Sequence, residues 1–236
     1  MSMPNSHESK KLFLHEKVRL GVDETTRFVE HFAECYRPLM EGQGARLYGL
    51  WEASEINACW PEITLIWEID SYSHLANIAN ARHQNPETKQ KFQQWRVLLG
   101  ELKAKGEGRL MFGHAGIKSI EEHRSLGLNT SVVIEEVMTT KPNCQTRYIE
   151  ELEYLYVPWS EETGKKWLGS FSTVFRNNEV IHYWALEGGW EAFGKYWPSW
   201  GDVPDPRIRS WMNMAPALRE GWQDSFMQAL PGNPLS

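Results

Sequence analysis

The 236-residue sequence predicts an α+β protein written twice, as two tandem copies of one strand–helix–strand–strand–helix–strand unit. Three observations lead there. An ungapped internal repeat recurs at an offset of 120 residues. Within each half, short strand-like stretches are broken by two helical stretches. The composition, 41% hydrophobic and 24% charged, supplies a packed core for such units.

The repeat is the firmest of the three, because a missed repeat misreads the whole fold. The segment TRFVEHFAECYRPLMEGQGARLYGL, from Thr26, lies over TRYIEELEYLYVPWSEETGKKWLGS, from Thr146. Thr26/Thr146, Arg27/Arg147, Glu30/Glu150, Tyr36/Tyr156, Pro38/Pro158, Glu41/Glu161, Gly44/Gly164 and Gly49/Gly169 are identical, eight matches in 25 positions. After a short deletion EITLIWEID, from Glu62, lies over EVIHYWALE, from Glu179, and pairs Trp67 with Trp184. Asn85-Pro86 then lies over Asp205-Pro206, back at the original offset.

Taken in order, LFLHEKVRL has strand content. Residues 23–42 follow with Phe28, Val29, Phe32, Tyr36, Leu39 and Met40 near helical spacing, Asp23 as N-cap, and Gly42 and Gly44 as the stop. ARLYGLWEAS and EITLIWEID, parted by the turn-like NACWP, form a hairpin. SYSHLANIANARH starts a helix, and NPETKQKFQQWRVLLGELKAK a second, with Pro86 in its first turn. GRLMFGHAGI closes the unit. The second half repeats the series as SVVIEEVMTT, a helix over 144–162, KKWLGSFSTVF, EVIHYWALE, GGWEAFGKYW and DPRIRSWMNMAPALREGWQDSFMQAL. The units run over 12–115 and 131–231, and 116–130 reads as the linker between them. Strands broken by helices on one face make an α+β, ferredoxin-like unit.

Composition narrows function. Aromatic and apolar content is too high for disorder, and no run nears the ~20 apolar residues of a membrane helix. Lys+Arg 25 against Asp+Glu 31 gives a net charge of −6 with no basic stripe, which argues against nucleic acid. Cys35, Cys59 and Cys144 are odd in number and carry no CxxC, so neither a disulfide framework nor a zinc site is indicated. The polar start lacks a secretory h-region, and the cytoplasm is the default compartment. No HExxH, P-loop, GxGxxG after a strand or GxSxG elbow is present, and metal dependence is not expected.

EVIHYWALEG, the aromatic helix after it and the DPR…W…M…L…GW segment resemble the NIPSNAP branch of the dimeric α/β-barrel superfamily. The first half keeps EITLIWEID and the NP…W element, but has Leu65 where the second has His182. The resemblance implies two ferredoxin-like units packed sheet to sheet as an α/β barrel within one chain. The superfamily spans cofactor-free monooxygenases, isomerases, polyketide cyclases, haem-bearing chlorite dismutases and peroxidases, and aldoxime dehydratases, so the fold leaves the reaction open.

Four residues are candidates for catalysis. Strand alternation puts Val180, His182 and Trp184 on one face and Ile181, Tyr183 and Ala185 on the other. His182 suits a general acid/base or an axial haem ligand, the bland alternative being a satisfied core histidine. Glu16 shares a face with Leu12, Leu14, Val18 and Leu20; Glu135 shares one with Ser131, Val133 and Val137, matched at an offset of 119. A carboxylate on an apolar face is costly unless paired or protonated, which suits proton transfer; the bland alternative is a buried partner for Arg27 or Arg147. Tyr183 is the fourth, although alternation turns it away from His182.

Eight of the 12 tryptophans fall in the second half. Trp184, Trp190, Phe193, Trp197 and Trp167 are expected to wall a pocket beside the histidine. The expectation is an enzyme without a cofactor, an isomerase or lyase acting on a hydrophobic, aromatic or terpenoid-like small molecule. The alternatives are a haem protein with His182 or His114 as ligand, and a non-catalytic binding module. Pairing of two chains into a homodimer stays open.

Overall fold

The computed structural model describes residues 11–114, 116–196 and 205–236. Its eight strands are β1 (Leu12–Arg19), β2 (Arg46–Ala53), β3 (Glu62–Ile69), β4 (Lys105–Gly113), β5 (Val132–Thr140), β6 (Lys165–Thr173), β7 (Glu179–Leu186) and β8 (Arg219–Ala229). They close into one antiparallel barrel in the order β1-β3-β2-β8-β5-β7-β6-β4. Each half contributes four adjacent strands in the same order, β4-β1-β3-β2 and β8-β5-β7-β6. The chain is thus two ferredoxin-like units joined into one α/β barrel. The joins are short: Trp51↔Ala229 to Ala53↔Met227 on one side, Met111↔Thr173 to Gly113↔Phe171 on the other.

Helices cover the outside of each half-sheet. In the first half α1 (Thr25–His31) runs through a π-helical turn (Phe32–Tyr36) into α2 (Arg37–Glu41), and α3 (Tyr72–Gln84) and α4 (Pro86–Glu101) follow β3. After the connecting α5 (Ile120–Ser125), the second half has α6 (Gln145–Glu151), a π turn (Leu152–Tyr156), α7 (Val157–Glu162), α8 (Gly189–Tyr196) and α9 (Pro206–Leu218). The two π turns sit at equivalent places for one reason. Pro38 and Pro158 lack the N–H that would continue the α ladder, and the residue before each reaches five back, Arg37 N–H to Phe32 O and Val157 N–H to Leu152 O. Each π turn ends on a tyrosine, Tyr36 or Tyr156, that points down at the sheet.

Strand alternation divides the core in three. Leu12, Val18, Leu65 and Trp67 face the first-half helices, and Ile134, Met138, Val180 and Trp184 face those of the second. Phe13, Ile66, Val133, Ile181 and Tyr183 fill the barrel interior. Gly49 sits at a bulge in β2, where a Cβ would collide with the Trp51 indole at 1.6 Å.

One local expectation is corrected. Asp23 does not cap α1: it adopts φ 70°, and the cap position falls to Glu24 with no side-chain hydrogen bond. The 116–130 connection is itself structured and packed. Ser119 and Glu122 form a capping box on α5, and Ile117 and Ile120 plug the barrel interior. The C-terminal end docks nearby, with Leu235 buried and its carbonyl accepting from Thr130 N–H at 2.7 Å.

Candidate functional site

In a sheet, residues directly opposite one another share a face, so ladder register places side chains in rows. One row on the helix-facing side of the second half is polar throughout. Asp224 on β8 opposes Glu136 on β5, Glu136 opposes His182 on β7, and His182 opposes Ser170 on β6. The equivalent first-half row reads Gly108, Glu16, Leu65, Leu50. Only the central carboxylate is common to both.

Each member of the polar row is held differently. Ser170 Oγ lies 2.8 Å from His182 Nδ1, while His182 Nε2 is buried without a hydrogen-bond partner among the described residues. Burial pushes the imidazole down to about 4, against the pull of Glu136, so His182 is neutral at pH 7. Glu136 is shielded from water, which alone would raise its pKa. Lys165, its Nζ 2.8 Å away, holds it below the usual carboxylate range. Lys165 is itself buried, donates to Tyr156 Oη at 3.1 Å, and lies 4.2 Å over the Trp184 ring. Lys165 and Arg219 act on Asp224 only from a distance, and it forms no ion pair among the described residues. Burial, with Glu136 opposite, lifts it to about 7.

The row borders a cavity of about 200 Å³ under α6, the second π turn and α9. Glu136 and Asp224 are at its sheet side, Tyr148 and Trp211 line it, and exposed Met212 and Trp222 form its rim. Tyr148 Oη makes no hydrogen bond among the described residues, and burial pushes its pKa up. Arg219 also lines the cavity and stacks 4.0 Å over Trp222. The arrangement offers a carboxyl that titrates near neutrality, a phenol to donate and a cation at the rim.

The sequence candidates are scattered over three places. His182 and Trp184 do share the helix-facing side of the second half, behind the cavity, the His182 ring lying 5.8 Å from that of Tyr148. Glu16 belongs to the first half, where its carboxylate accepts from Tyr36 Oη (2.9 and 3.0 Å) and Trp67 Nε1 (3.1 Å). Burial raises its pKa. Glu135 and Tyr183 do not join His182 at all. They lie inside the barrel, where Glu135 is bound by His15 Nε2 (3.0 Å), Lys17 Nζ (2.6 Å) and Tyr183 Oη (2.5 Å). The 119 offset that paired Glu135 with Glu16 is a one-residue slip. At 120 the partner of Glu16 is Glu136, and the partner of Glu135 is His15.

The predicted aromatic wall separates likewise. Trp190 and Phe193 on α8 pack with Phe226, and Trp190 Nε1 donates to Gln228 Oε1 at 2.9 Å. Trp167 packs at the edge of the second-half core. Trp197 lies outside the described residues. The aromatics that line the cavity are instead Tyr148, Tyr156, Trp211 and Trp222. His114 stands elsewhere, its Nε2 2.7 Å from Ser172 Oγ. Among the described residues no group of three or more His, Cys, Asp or Glu is placed to hold a metal ion, and no helix is long and apolar enough to cross a membrane.

No protein-family profile matches the sequence, and no curated protein does. Solved structures do match. A candidate monooxygenase from Fusobacterium nucleatum superposes with a TM-score of 0.62 at 10% identity, covering 94% of both chains. An anthrone oxidase-like protein gives 0.57 at 12%, covering 94% of this chain and 92% of its own. A NIPSNAP domain protein from Burkholderia xenovorans gives 0.38 at 17%, covering 46% of this chain and 99% of its own. The first two share the fold, an α/β barrel that this chain closes within one polypeptide.

Proposed function

We propose that the chain is an acid–base enzyme of small-molecule metabolism, working in the second-half cavity without a cofactor. The observation that carries this reading is the Asp224–Glu136 pair opening on that cavity: two facing carboxyls, of which one is ionised by Lys165 and the other titrates near pH 7. A group that titrates close to the working pH transfers protons in both directions most effectively. Asp224 takes a proton from a carbon beside a carbonyl. Tyr148 donates a hydrogen bond to the oxygen on which charge builds, and Arg219 supports it. Asp224 then returns the proton to a different carbon, an isomerisation with no net oxidation.

Size sets the substrate class. A dry cavity of roughly 150 Å³ holds one benzene, so about 200 Å³ suits a single ring, with any tail leaving past Met212 and Trp222. A hydrophobic, aromatic or cyclic carbonyl compound fits these walls. His182 sits behind Tyr148 and serves as a positioning residue. Haem is the reading the fold family suggests next, and the residues do not fit it. A porphyrin exceeds a single-ring cavity, the Tyr148 ring lies against His182, and His114 Nε2 is engaged by Ser172. The likeness of each half to NIPSNAP sequences, and a tandem origin for the two units over 12–115 and 131–231, complete the reading.

The test is deuterium exchange. Single-ring ketones are incubated with the protein in D₂O and followed by proton NMR. Enzyme-dependent exchange beside the carbonyl is expected, falling about 100-fold or more in Asp224→Asn. Equal exchange by wild type and variant would sink the assignment.

A further inference from the structure

A second cavity, of about 340 Å³, opens between β1, β4 and α3 in the first half. Leu14, Leu75, Ile78 and Leu110 make apolar walls, and exposed Phe175, from the β6–β7 turn, stands at the rim. The space exists because Gly108 occupies the place that Asp224 fills in the other half. A Cβ there would meet nothing nearer than His15 O at 3.9 Å.

Three charged groups line this cavity with unequal commitments, and one of them, Arg109, is already paired with Glu107 at 2.6 Å and Glu179 at 3.1 Å. The Glu16 oxygens are turned to Tyr36 and Trp67. Arg82, on α3, lies with its guanidinium 4.1 Å over the Phe92 ring and 3.6 Å from Met40 Sδ. Its Nε is buried with no hydrogen-bond partner, and it forms no ion pair among the described residues. A guanidinium stays charged at every physiological pH and presents a planar fork to carboxylates. Held by an aromatic ring at the edge of an apolar cavity, it feels the Glu16 carboxylate electrostatically but forms no bidentate pair with any carboxylate among the described residues.

We propose that this cavity is a second ligand site, taking an apolar molecule that ends in a carboxylate, with Arg82 binding the carboxylate and the leucine–isoleucine walls taking the hydrocarbon. The site is independent of the acid–base reading of the second half, since it shares no lining residue with that cavity.

Calorimetric titration of the full chain with octanoate, and with octanol as its uncharged match, tests the proposal. Octanoate is expected to bind about tenfold or more tightly than octanol. Arg82→Gln erases that preference. Gly108→Leu, which leaves every charge in place and fills the cavity, abolishes binding of both. Arg219→Gln, in the other cavity, changes neither. Thermal unfolding checks each variant, and if Arg82→Gln does not fold, Gly108→Leu decides alone. Absent octanoate binding, equal affinity for octanol, or wild-type binding in folded Gly108→Leu overturns the proposal, as does loss in Arg219→Gln alone.

Discussion

Asp224 and Glu136 face each other directly across the β5–β8 ladder, yet among the described residues only Glu136 forms an ion pair, with Lys165 at 2.8 Å. Two like charges in register repel, so the lysine decides which carboxyl keeps the proton.

Asp224 therefore links stability to pH. Its folded pKa of about 7 lies above the unfolded value, so the folded state holds the extra proton. The stabilisation is complete below about pH 4 and is lost as the pH rises through 7. Asp224→Asn, which stays uncharged, is expected to gain about 1–2 kcal/mol over wild type at pH 8 and nothing at pH 4. Urea unfolding at the two pH values measures this, and a pH-independent difference would count against a protonated Asp224.

Lys165→Met should be severe. It leaves Glu136 buried without its cation, a loss of about 3–5 kcal/mol. Adding Glu136→Leu should recover most of that, because removing both partners is far cheaper than removing one. A double variant as unstable as the single would show that packing against Trp184, and not charge, is what Lys165 provides.

His182→Leu copies the first half, which has Leu65 in the same row. An apolar side chain replaces a neutral histidine with one orphan nitrogen, so the melting temperature should move by no more than about 3 °C. Ligand exchange in the cavity should nevertheless slow, because Tyr148 loses its neighbour. Circular dichroism melting and the NMR exchange rate read the two effects separately.

Inside the barrel, Glu135→Gln should lower stability at pH 7 by about 3 kcal/mol, since it breaks the buried pairs to Lys17 and His15. Burial alone would raise the Glu135 pKa, but His15 and Lys17 hold it below the carboxylate range. Its stabilisation is thus full above the unfolded value of about 4.3 and fades as pH falls below it. The gap between variant and wild type should shrink in acid. Turnover in the second-half cavity should be unaffected once the variant is folded.

The fold was legible because its signals are local and repeated. Period-two alternation separated His182 from Tyr183 correctly, and the Thr26/Thr146 identities announced the second unit. The site was less legible for a physical reason. β5 carries two adjacent glutamates, so either of two registers set a carboxylate opposite Glu16, and a one-residue slip turns every side chain to the other face. The 120 offset of the helices, extended back to the strands, would have chosen Glu136. Asp224 had no such signal: its raised pKa comes from burial in the folded barrel and from Glu136, far away in sequence, across the ladder. Tyr148 was visible only as a partner of Phe28, its hydroxyl being the sole difference.

His15 and Glu135 occupy the same station in the two halves and touch across the middle of the barrel at 3.0 Å. Were the halves separate, identical chains, that station would set imidazole against imidazole, or carboxylate against carboxylate. Here each half carries the complement of the other and not its copy. The central contact depends on that difference: copying either residue into the other half would leave two like groups facing each other where His15 and Glu135 now meet.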